Sequence, residues 1–331
     1  MAVKIEHNRE IDFTYDEPDQ LTPLVRRVIC ENPGPFTYVG TGTYIIGRGR
    51  VAVLDPGPAV ERHIDAVLAA LGPDEEVGQI LISHTHSDHS TGTPLLQART
   101  GAPTFGFGRH GAVADLDPDE KIDFSDYFTA EEVEKYEKEY EDLDPALKRE
   151  GPDLDFVPDE RVEDGDVIRG DGFTLEAIHT PGHCSNHLCF ALAEESSLFS
   201  ADHVMGWATS VVGPPDGDMG DYMASLTKLL GRSESQFWPA HGPGVADAIP
   251  YVRSFIEHRH DREDQILTYL AAGPKRIADI IPEMYAGYDK RLWYPAAASV
   301  QAHMIHLTET GKVVPDGGKP TLTAVYRKSG T

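Results

Sequence analysis

Short runs of β-branched and aromatic residues, separated by turns, fill the first third of the chain. They occupy residues 38–39, 43–46, 51–54 and 80–82. Runs of this composition bounded by Gly and Pro are typical of β-strands. After the turn at residues 55–58, apolar side chains recur at helical spacing at Ile64, Val67, Leu68 and Leu71. This spacing predicts a helix, which Gly72 and Pro73 should end.

A second block of apolar runs begins near residue 167. It comprises residues 167–168, 173–178, 188–192 and 197–200, and a helical pattern follows at residues 223–230. Two strand-rich halves with helices between them predict an α/β sandwich, in which helices cover the outer faces of two facing sheets.

The pattern changes again from about residue 250. Helical periodicity appears at residues 251–270, 277–281 and 296–309, and a hairpin pattern then joins 312–314 to 321–325. Three helices followed by a hairpin match a winged-helix arrangement. We therefore expect a catalytic domain over residues 1–249 and a winged-helix-like domain over residues 250–331.

Residues 114–166 resemble an insertion in the first domain. They contain 22 Asp or Glu residues against six Lys or Arg residues. Thr129 as N-cap and Glu132 three residues later form a capping-box pattern, and the predicted helix runs through Val133, Tyr136 and Tyr140. Two interpretations stay open, since such a helix is either a lid over a site or a hydrated surface element.

The formal net charge of the 331 residues is −26. A polyanionic substrate would be repelled unless a local basic surface offset this charge, which disfavours RNA and favours a small-molecule substrate. No apolar stretch approaches the roughly 20 residues needed to span a bilayer, and the N-terminus lacks the apolar segment of a signal peptide. We expect a cytoplasmic protein without a membrane partner. Three cysteines, Cys30, Cys184 and Cys189, argue against a disulfide framework.

The segment 84–89 carries the clearest chemical signal. His84, His86, Asp88 and His89 follow directly after the apolar run at 79–82. Three further candidates lie where a β-run gives way to a Gly/Pro turn, and these are His183, Asp202 and His241. Imidazole nitrogens and carboxylate oxygens suit zinc, and the absence of a thiolate from this set argues against a closed structural site.

Histidines two residues apart cannot share a helical face, but a tight loop after a strand can bring His84 and His86 to one ion. Asp88 and His89 then face a second ion, and the two oxygens of Asp202 suit it to a bridging position. Two divalent ions about 3.5–4 Å apart lower the pKa of a bound water to around 7, which gives a hydroxide that attacks carbonyl carbon or phosphorus. Asp88 is placed to accept a hydrogen bond from that water. The pattern predicts a dinuclear hydrolase in which Asp88 and Asp202 are catalytic.

With these residues in view, the chain resembles the metallo-β-lactamase superfamily, and within it the β-lactamase-like protein 2 group, whose members carry a C-terminal winged-helix-like domain. The resemblance covers roughly residues 28–110 and 160–315. Its motifs are residues 32–37, 55–57, 84–89, 179–183, Asp202, 221–226 and 239–244.

The resemblance implies an αββα sandwich and a complete ligand set. One metal would be bound by His84, His86 and His183, the other by Asp88, His89 and His241, with Asp202 between them. Two Zn²⁺ ions per chain are expected, with Mn²⁺ or Fe²⁺ as alternatives. Asp55 resembles the carboxylate that orients the histidine loop in this family.

Two positions depart from the family pattern and bear on substrate preference. Ala201 precedes Asp202 where glycine is usual, and Cys184 follows His183 where threonine or serine is frequent. Four residues are expected to border the substrate pocket. Phe36 and Tyr38 belong to a loop beside the site in related folds, and His203 and Trp207 follow Asp202, with a core position as the alternative for Trp207.

The function favoured is hydrolysis of a small ester, thioester, lactone or amide. The first alternative is a single-strand endoribonuclease or phosphodiesterase, in which basic residues of the tail guide a phosphate backbone. These residues are Arg253, Arg259, Arg262, Lys275, Arg276, Lys290 and Arg291. The tail would otherwise serve as a packing module, or as a dimerisation module that joins two copies of the chain into a homodimer. An iron-dependent sulfur dioxygenase is the remaining alternative, because some relatives hold iron in this histidine run.

Overall fold

We describe the chain from a computed structural model, in which residues 5–111, 127–141 and 151–330 are described. Within these ranges the first sheet has seven strands that follow one another in chain order. They are β1 (Pro18–Gln20), β2 (Val25–Ile29), β3 (Gly42–Ile46), β4 (Arg50–Leu54), β5 (Glu76–Leu81), β6 (Thr104–Gly106) and β7 (Glu160–Arg161). Strands β1 to β4 pair antiparallel, whereas β4, β5, β6 and β7 pair parallel.

The second sheet has six strands within the described residues, in the order β13-β12-β11-β10-β9-β8. They are β8 (Val167–Gly170), β9 (Phe173–His179), β10 (Leu188–Leu192), β11 (Ser197–Ala201), β12 (Gln236–Pro239) and β13 (Val245–Ala246). Strands β10 and β11 are buried at every residue, which is typical of strands with both faces covered.

The two sheets face each other across one apolar core. Tyr44 and Leu54 enter it from the first sheet, and Phe190 and Phe199 enter it from the second. The rings of Tyr44 and Phe199 meet edge to face, with their centroids 5.1 Å apart. Tight packing of large side chains between the sheets fixes their relative position.

Three helices accompany the first sheet: α1 (Glu61–Ala69), α2 (Ser87–Ser90) and α3 (Thr93–Thr100). Ile64 of α1 and Leu96 of α3 pack on the outer face of this sheet against Ile45 and Val53. The helix predicted from the spacing of Ile64, Val67, Leu68 and Leu71 is therefore present, and it ends at Ala69, just before Gly72.

The acidic segment contributes α4 (Ala130–Glu141). Its capping box is confirmed, because the Glu132 amide donates to Thr129 Oγ1 at 3.2 Å and the Thr129 amide donates to Glu132 Oε2 at 2.9 Å. Val133 and Tyr136 pack with Phe128 against the C-terminal helices. Residues 112–126 and 142–150 lie outside the described part, so the predicted lid stays a prediction.

Two helices cover the outer face of the second sheet: α5 (Met219–Leu230) and α6 (Ala248–Ala271). Leu226 of α5 and Phe255 of α6 pack against Ile178 and Leu198 of the sheet. With α1 and α3 on the first sheet, this gives the αββα sandwich that the sequence predicted.

The C-terminal elements are α7 (Ile277–Met284), α8 (Trp293–Glu309) and a small sheet formed by β14 (Lys275–Arg276), β15 (Val313–Pro315) and β16 (Val325–Lys328) in the order β14-β16-β15. This is a winged-helix arrangement. Helix α6 is shared, because Val252 packs on the sandwich whereas Ile266 packs in the C-terminal core. The division at residues 249/250 stays a prediction.

Two local predictions were wrong, and some strands, β2 among them, were not predicted. Residues 38–39 are not a strand, because Tyr38 has φ 58° in the left-handed region and lies in a loop. Strand β2 was missed, since Arg26 and Arg27 interrupt its apolar pattern. The second hairpin strand is Val325–Lys328 rather than 321–325, because residues 316–324 form the connection between the strands.

In the described part of the chain, every helix is too short or too polar to cross a lipid bilayer.

Candidate metal centre

Five strands of the two sheets end at one edge of the sandwich, and each leads into a loop with a candidate residue. Asp55 follows β4, the 84–89 segment follows β5, and His183, Asp202 and His241 follow β9, β11 and β12. The pairs β4/β5 and β11/β12 are parallel, so their carboxyl ends meet at the same edge, where open α/β sheets bind ligands.

The end of β11 is irregular where it presents Asp202. The pairing register with β12 shifts between Phe199 and Ala201, and Ala201 has φ 42°. Glycine adopts this left-handed conformation without the steric cost that a Cβ adds. A bulge of this kind re-aims the next side chain, which explains why the position before Asp202 is one where glycine is favoured.

All seven predicted ligands lie together. Among the described residues, three groups bring their ligand atoms within 4.8 Å of one another. The groups are His84, His86 and His183; His84, His89 and Asp202; and Asp88, His89 and His241. Asp55 lies outside these groups and contacts His89 at Nδ1, the ring nitrogen that faces away from them.

The first group is a set of three imidazoles. His86 Nδ1 lies 3.0 Å from His84 Nε2 and 2.9 Å from His183 Nε2. Burial is the main reason why the pKa of His84 is well below its usual value and that of His86 is lowered to about 3. Neutral imidazoles keep their lone pairs available, which metal binding requires.

The third group, Asp88, His89 and His241, combines a carboxylate with two imidazoles. Asp88 Oδ2 lies 3.3 Å from His89 Nε2 and 3.2 Å from His241 Nε2. Burial by itself would lower the pKa of His241, but Asp202 and Asp88 raise it to about 10. The carboxylates therefore create a negative potential at this point that favours a cation.

Asp202 belongs to the remaining group and faces the first and the third group. Its Oδ2 lies 3.7 Å from His183 Nε2 and 3.7 Å from His89 Nε2, and its Oδ1 lies 3.3 Å from His241 Nε2. Asp202 Oδ1 and His89 Nε2 are buried without a hydrogen-bond partner. Orphaned buried polar atoms need an explanation, and a nitrogen-and-oxygen set around them fits divalent cations such as Zn²⁺.

Asp55 holds the histidine loop in place. It accepts hydrogen bonds from the Ser83 amide at 2.8 Å and the Ser83 hydroxyl at 2.6 Å, and its Oδ2 lies 3.0 Å from His89 Nδ1. These contacts direct His89 Nε2 toward Asp88 and Asp202. The sequence predicted this orienting position for Asp55, and carboxylates that fix a ligand imidazole in this way tune metal affinity.

Two polar residues near the ligands carried no signal in the sequence. Thr41 Oγ1 donates to Asp88 Oδ2 at 3.2 Å and is itself held by the side chain of Asn32. His110 Nδ1 lies 3.0 Å from Thr85 Oγ1, and its ring centroid is 5.8 Å from that of His86. Single Thr and His residues are common in loops, so only the fold reveals that they adjoin the ligands.

The four expected pocket residues occupy different positions. Phe36 and Trp207 line a cavity of about 270 Å³ beside the ligand groups. Tyr38 stacks on Trp207, with ring centroids 4.8 Å apart. His203 is fully buried and contacts Tyr222 instead of the cavity, because the Ser210 and Tyr222 hydroxyls hold its carbonyl and turn this segment inward.

Cys184 is a buried thiol, although it directly follows His183. Burial raises its pKa well above the usual value, and its Sγ donates to Asn186 Oδ1 at 3.3 Å. A protonated, inward-facing thiol is a poor metal ligand and a poor nucleophile. The departure at this position therefore leaves the ligand set unchanged.

Comparison with known proteins agrees with the fold. Residues 38–235 match the metallo-beta-lactamase superfamily, and residues 277–319 match the beta-lactamase associated winged helix domain. The first match covers more than half of the chain. The chain belongs to the metallo-beta-lactamase superfamily and is a hydrolase of that family, whose members generally bind divalent metals.

Three similar proteins illustrate the range of the family. An atrochrysone carboxyl ACP thioesterase from Claviceps purpurea is 29% identical over 277 residues, which covers 81% of this chain and 74% of that protein. A beta-lactamase-like protein 2 homolog from Caenorhabditis elegans is 31% identical over 283 residues, which covers 83% of this chain and 81% of that protein. The crystal structure of a beta-lactamase domain protein from Burkholderia ambifaria has a TM-score of 0.77 at 17% identity, covers 96% of each chain and supports the fold alone.

Proposed function

We propose that this hydrolase cleaves acyl thioesters at a dinuclear zinc centre. The observation that carries the proposal is the convergence of seven imidazole and carboxylate side chains into groups that share Asp202. Among the ester, thioester, lactone and amide substrates that the sequence leaves open, the thioester is supported by relatives named as ACP thioesterases.

We propose the division of ligands that the resemblance implies. His84, His86 and His183 would hold one ion, Asp88, His89 and His241 would hold the other, and Asp202 would contact both. When bound, two divalent cations lower the pKa of a water to around 7, so that a hydroxide nucleophile is available, and polarise the carbonyl under attack.

Asp88 would orient the attacking water. Burial alone raises the pKa of a carboxyl group, but His89 and His241 hold the pKa of Asp88 well below its usual value. Thr41 donates to Asp88 Oδ2 and fixes the carboxylate. An ionised, immobile carboxylate can accept a hydrogen bond from the water and align its lone pair with the carbonyl carbon.

A thioester suits this arrangement because of its leaving group. A thiol has a pKa of about 8.5, far below that of an alcohol or an amine, so a thiolate departs without first receiving a proton. The residues around the ligand groups then have to bind the substrate and exclude competing water, and they do not need to supply a strong general acid.

The ribonuclease alternative is weakened by the pairing of the basic tail. Arg276 lies 3.1 Å from Asp279, Lys290 lies 3.2 Å from Glu132, and Arg291 lies 2.6 Å from Asp289. Side chains neutralised in this way contribute little to the attraction of a phosphate backbone. No observation in the described chain favours the iron-dependent sulfur dioxygenase over hydrolysis.

The test is metal quantification on the pure full chain together with a substrate panel. The panel contains a thioester, a lactone, a β-lactam, a phosphodiester and RNA, with Asp202→Ala as the inactive control and Asp74→Ala, at an exposed turn, as the matched control. We expect about two zinc ions per chain and thioester cleavage that Asp202→Ala abolishes. RNA cleavage faster than thioester cleavage, or full activity of Asp202→Ala, would overturn the proposal.

A further inference from the structure

A cavity of about 270 Å³ lies between the sandwich and the C-terminal elements and is lined by residues of both. The sandwich contributes Phe36, Trp207 and Val211 to its wall. The C-terminal part contributes side chains from α6, α8 and the connection after α7, among them His258, Arg259, Arg262, Tyr285 and Pro295. The C-terminal domain therefore closes a space that the sandwich alone would leave open.

The charge of this cavity is opposite to that of the protein. The charged side chains in its lining are Arg9, Arg259 and Arg262, and it contains no Asp or Glu among the described residues, although the chain has 55 acidic residues against 29 basic ones. Over the same described ranges, no carboxylate oxygen lies within 4.0 Å of the Arg259 or Arg262 guanidinium. Arg262 is half-buried and donates to Gln265 Oε1 at 3.0 Å, and Arg259 donates to the carbonyl of Ser210. Because neither guanidinium has a carboxylate partner among these residues, the two create a positive potential that favours an anion.

Unused hydrogen-bond donors surround the same space. Arg259 is only 4% exposed, and its Nε has no hydrogen-bond partner. Trp207 Nε1 likewise has no hydrogen-bond partner. Neither group can accept a hydrogen bond. Burial and the neighbouring Arg259 and Arg262 lower the pKa of His258 to about 3, so the positive charge of the wall comes from the arginines.

The cavity adjoins the ligand groups through one short segment. Val211 lines the cavity, and its carbonyl oxygen accepts a 2.6 Å hydrogen bond from His183 Nδ1. Ser210 donates to the carbonyl of Asp202, and Arg259 Nη2 donates to the carbonyl of Ser210. The segment 210–211 therefore lies between the cavity and the ligand groups, so a substrate group bound in the cavity is next to the candidate metal centre.

We propose that the cavity binds the acyl part of the thioester substrate, and that this part is a flat apolar body carrying a carboxylate or phenolate that Arg262 recognises. The inference rests on the proposed function and adds its substrate class. The Arg262 guanidinium lies over the ring of Tyr285 at 5.1 Å, which fixes its plane for an anion. The volume is close to the lower limit of about 300 Å³ for small-molecule sites, so the acyl body that it can hold is a small one.

The phosphate of a phosphopantetheine arm is the other anion that a thioester substrate could bring. It belongs to the leaving group and not to the acyl part, so the two sources give different kinetic signatures. The experiment therefore varies the acyl charge and the arm phosphate independently.

The first measurement is direct binding to the full chain by titration calorimetry, with 2-naphthoate and its neutral counterpart 2-naphthamide as probes. The variants are Arg262→Gln, Arg262→Lys and Arg253→Gln, the last being an exposed arginine of the same helix. We expect Arg262→Gln to weaken naphthoate binding by about tenfold or more, since charged hydrogen bonds contribute at this level. Arg262→Lys keeps the charge but loses the stacked planar guanidinium, so its affinity should lie between those of the wild type and Arg262→Gln. Arg253→Gln should retain the wild-type affinity.

Equal naphthoate affinity in the wild type and in Arg262→Gln would overturn the proposal, as would equal wild-type affinity for naphthoate and naphthamide. Arg262→Gln leaves all seven candidate ligands intact. A carboxylate that binds at the ligand groups would therefore not respond to this substitution, and the variant separates the two binding places.

The second measurement uses 6-carboxy-2-naphthoyl and 6-carbamoyl-2-naphthoyl thioesters, each on pantetheine and on 4′-phosphopantetheine. We expect Arg262→Gln to raise KM for the carboxylated acyl group about tenfold on either arm, with kcat little changed. An effect that follows the arm phosphate instead would overturn the acyl assignment. Naphthoate binding without turnover of any thioester would retain the anion site and overturn the proposed function.

Discussion

His183 Nδ1 donates a 2.6 Å hydrogen bond to the carbonyl oxygen of Val211. This bond fixes the tautomer in which His183 Nε2 faces the other candidate ligands. Because Val211 also lines the interdomain cavity, the same short segment shapes the cavity wall and orients a candidate ligand. Substitutions in the segment should therefore affect stability and the metal centre together.

Ser210→Ala tests this segment. The Ser210 hydroxyl donates to the carbonyls of Asp202 and His203, and its removal leaves two buried acceptors without that partner. We expect a loss of about 1–3 kcal/mol in the free energy of unfolding, measured by urea denaturation. Thr227→Ala, which removes the hydroxyl of an exposed helical residue, is the control. Equal stability of Ser210→Ala and the wild type would show that the bonds contribute nothing.

Asp55→Asn tests the orientation of His89. The amide keeps the shape of the carboxylate but cannot accept from the Ser83 amide, the Ser83 hydroxyl and His89 at the same time. We expect a 10–100-fold loss of zinc affinity with little change in fold. The measurement is competition against a chromophoric chelator, with circular dichroism as the check on folding. Unchanged affinity would remove Asp55 from its orienting role.

Phe190→Ala tests the core between the two sheets. Phe190 is fully buried, and truncation leaves a cavity that the surrounding strands cannot close. We expect a loss of about 3–5 kcal/mol in the free energy of unfolding. Val314→Ala, at a side chain that is 53% exposed, should change it by less than about 0.5 kcal/mol. A similar effect of both substitutions would contradict the packing described here.

Glu75→Gln tests a buried ion pair. Glu75 Oε2 lies 2.7 Å from Arg26 Nη1, and both side chains are buried. Burial acts to raise the pKa of Glu75, but Arg26 and the Gly72 amide lower it below its usual 4.5. We expect the substitution to cost about 3–5 kcal/mol at pH 7, because Arg26 is left unpaired.

The pH dependence of this difference has a definite sign. The pKa of Glu75 is lower in the folded protein than in the unfolded chain. Its contribution is therefore complete above about pH 4.5 and is lost as the pH falls through the folded value. The stabilities of wild type and Glu75→Gln should converge in acid. Glu76→Gln, at an exposed ion pair with Arg50, should differ from the wild type by at most about 1 kcal/mol at any pH. A constant gap for Glu75→Gln would contradict this account.

The elements that the sequence predicted well depend on local physics. The capping box of Thr129 and Glu132 and the periodicity of α1 follow from residues close together in the chain. Each of the seven candidate ligands was likewise singled out by a local pattern, a β-run that gives way to a turn. Strand β2 was missed for the complementary reason. Arg26 and Arg27 interrupt its apolar pattern, and their partners Glu75 and Asp19 are identified only once the chain has folded.

What the tertiary structure alone decided is which distant residues meet. The sequence grouped Arg259 and Arg262 with Arg276, Lys290 and Arg291 as one basic tail. The fold separates them, because α6 turns the first two toward Trp207 and the cavity while the other three find carboxylates at the surface. Local spacing sets the face of a helix on which a residue lies, but only the packing of α6 between two cores determines what that face meets.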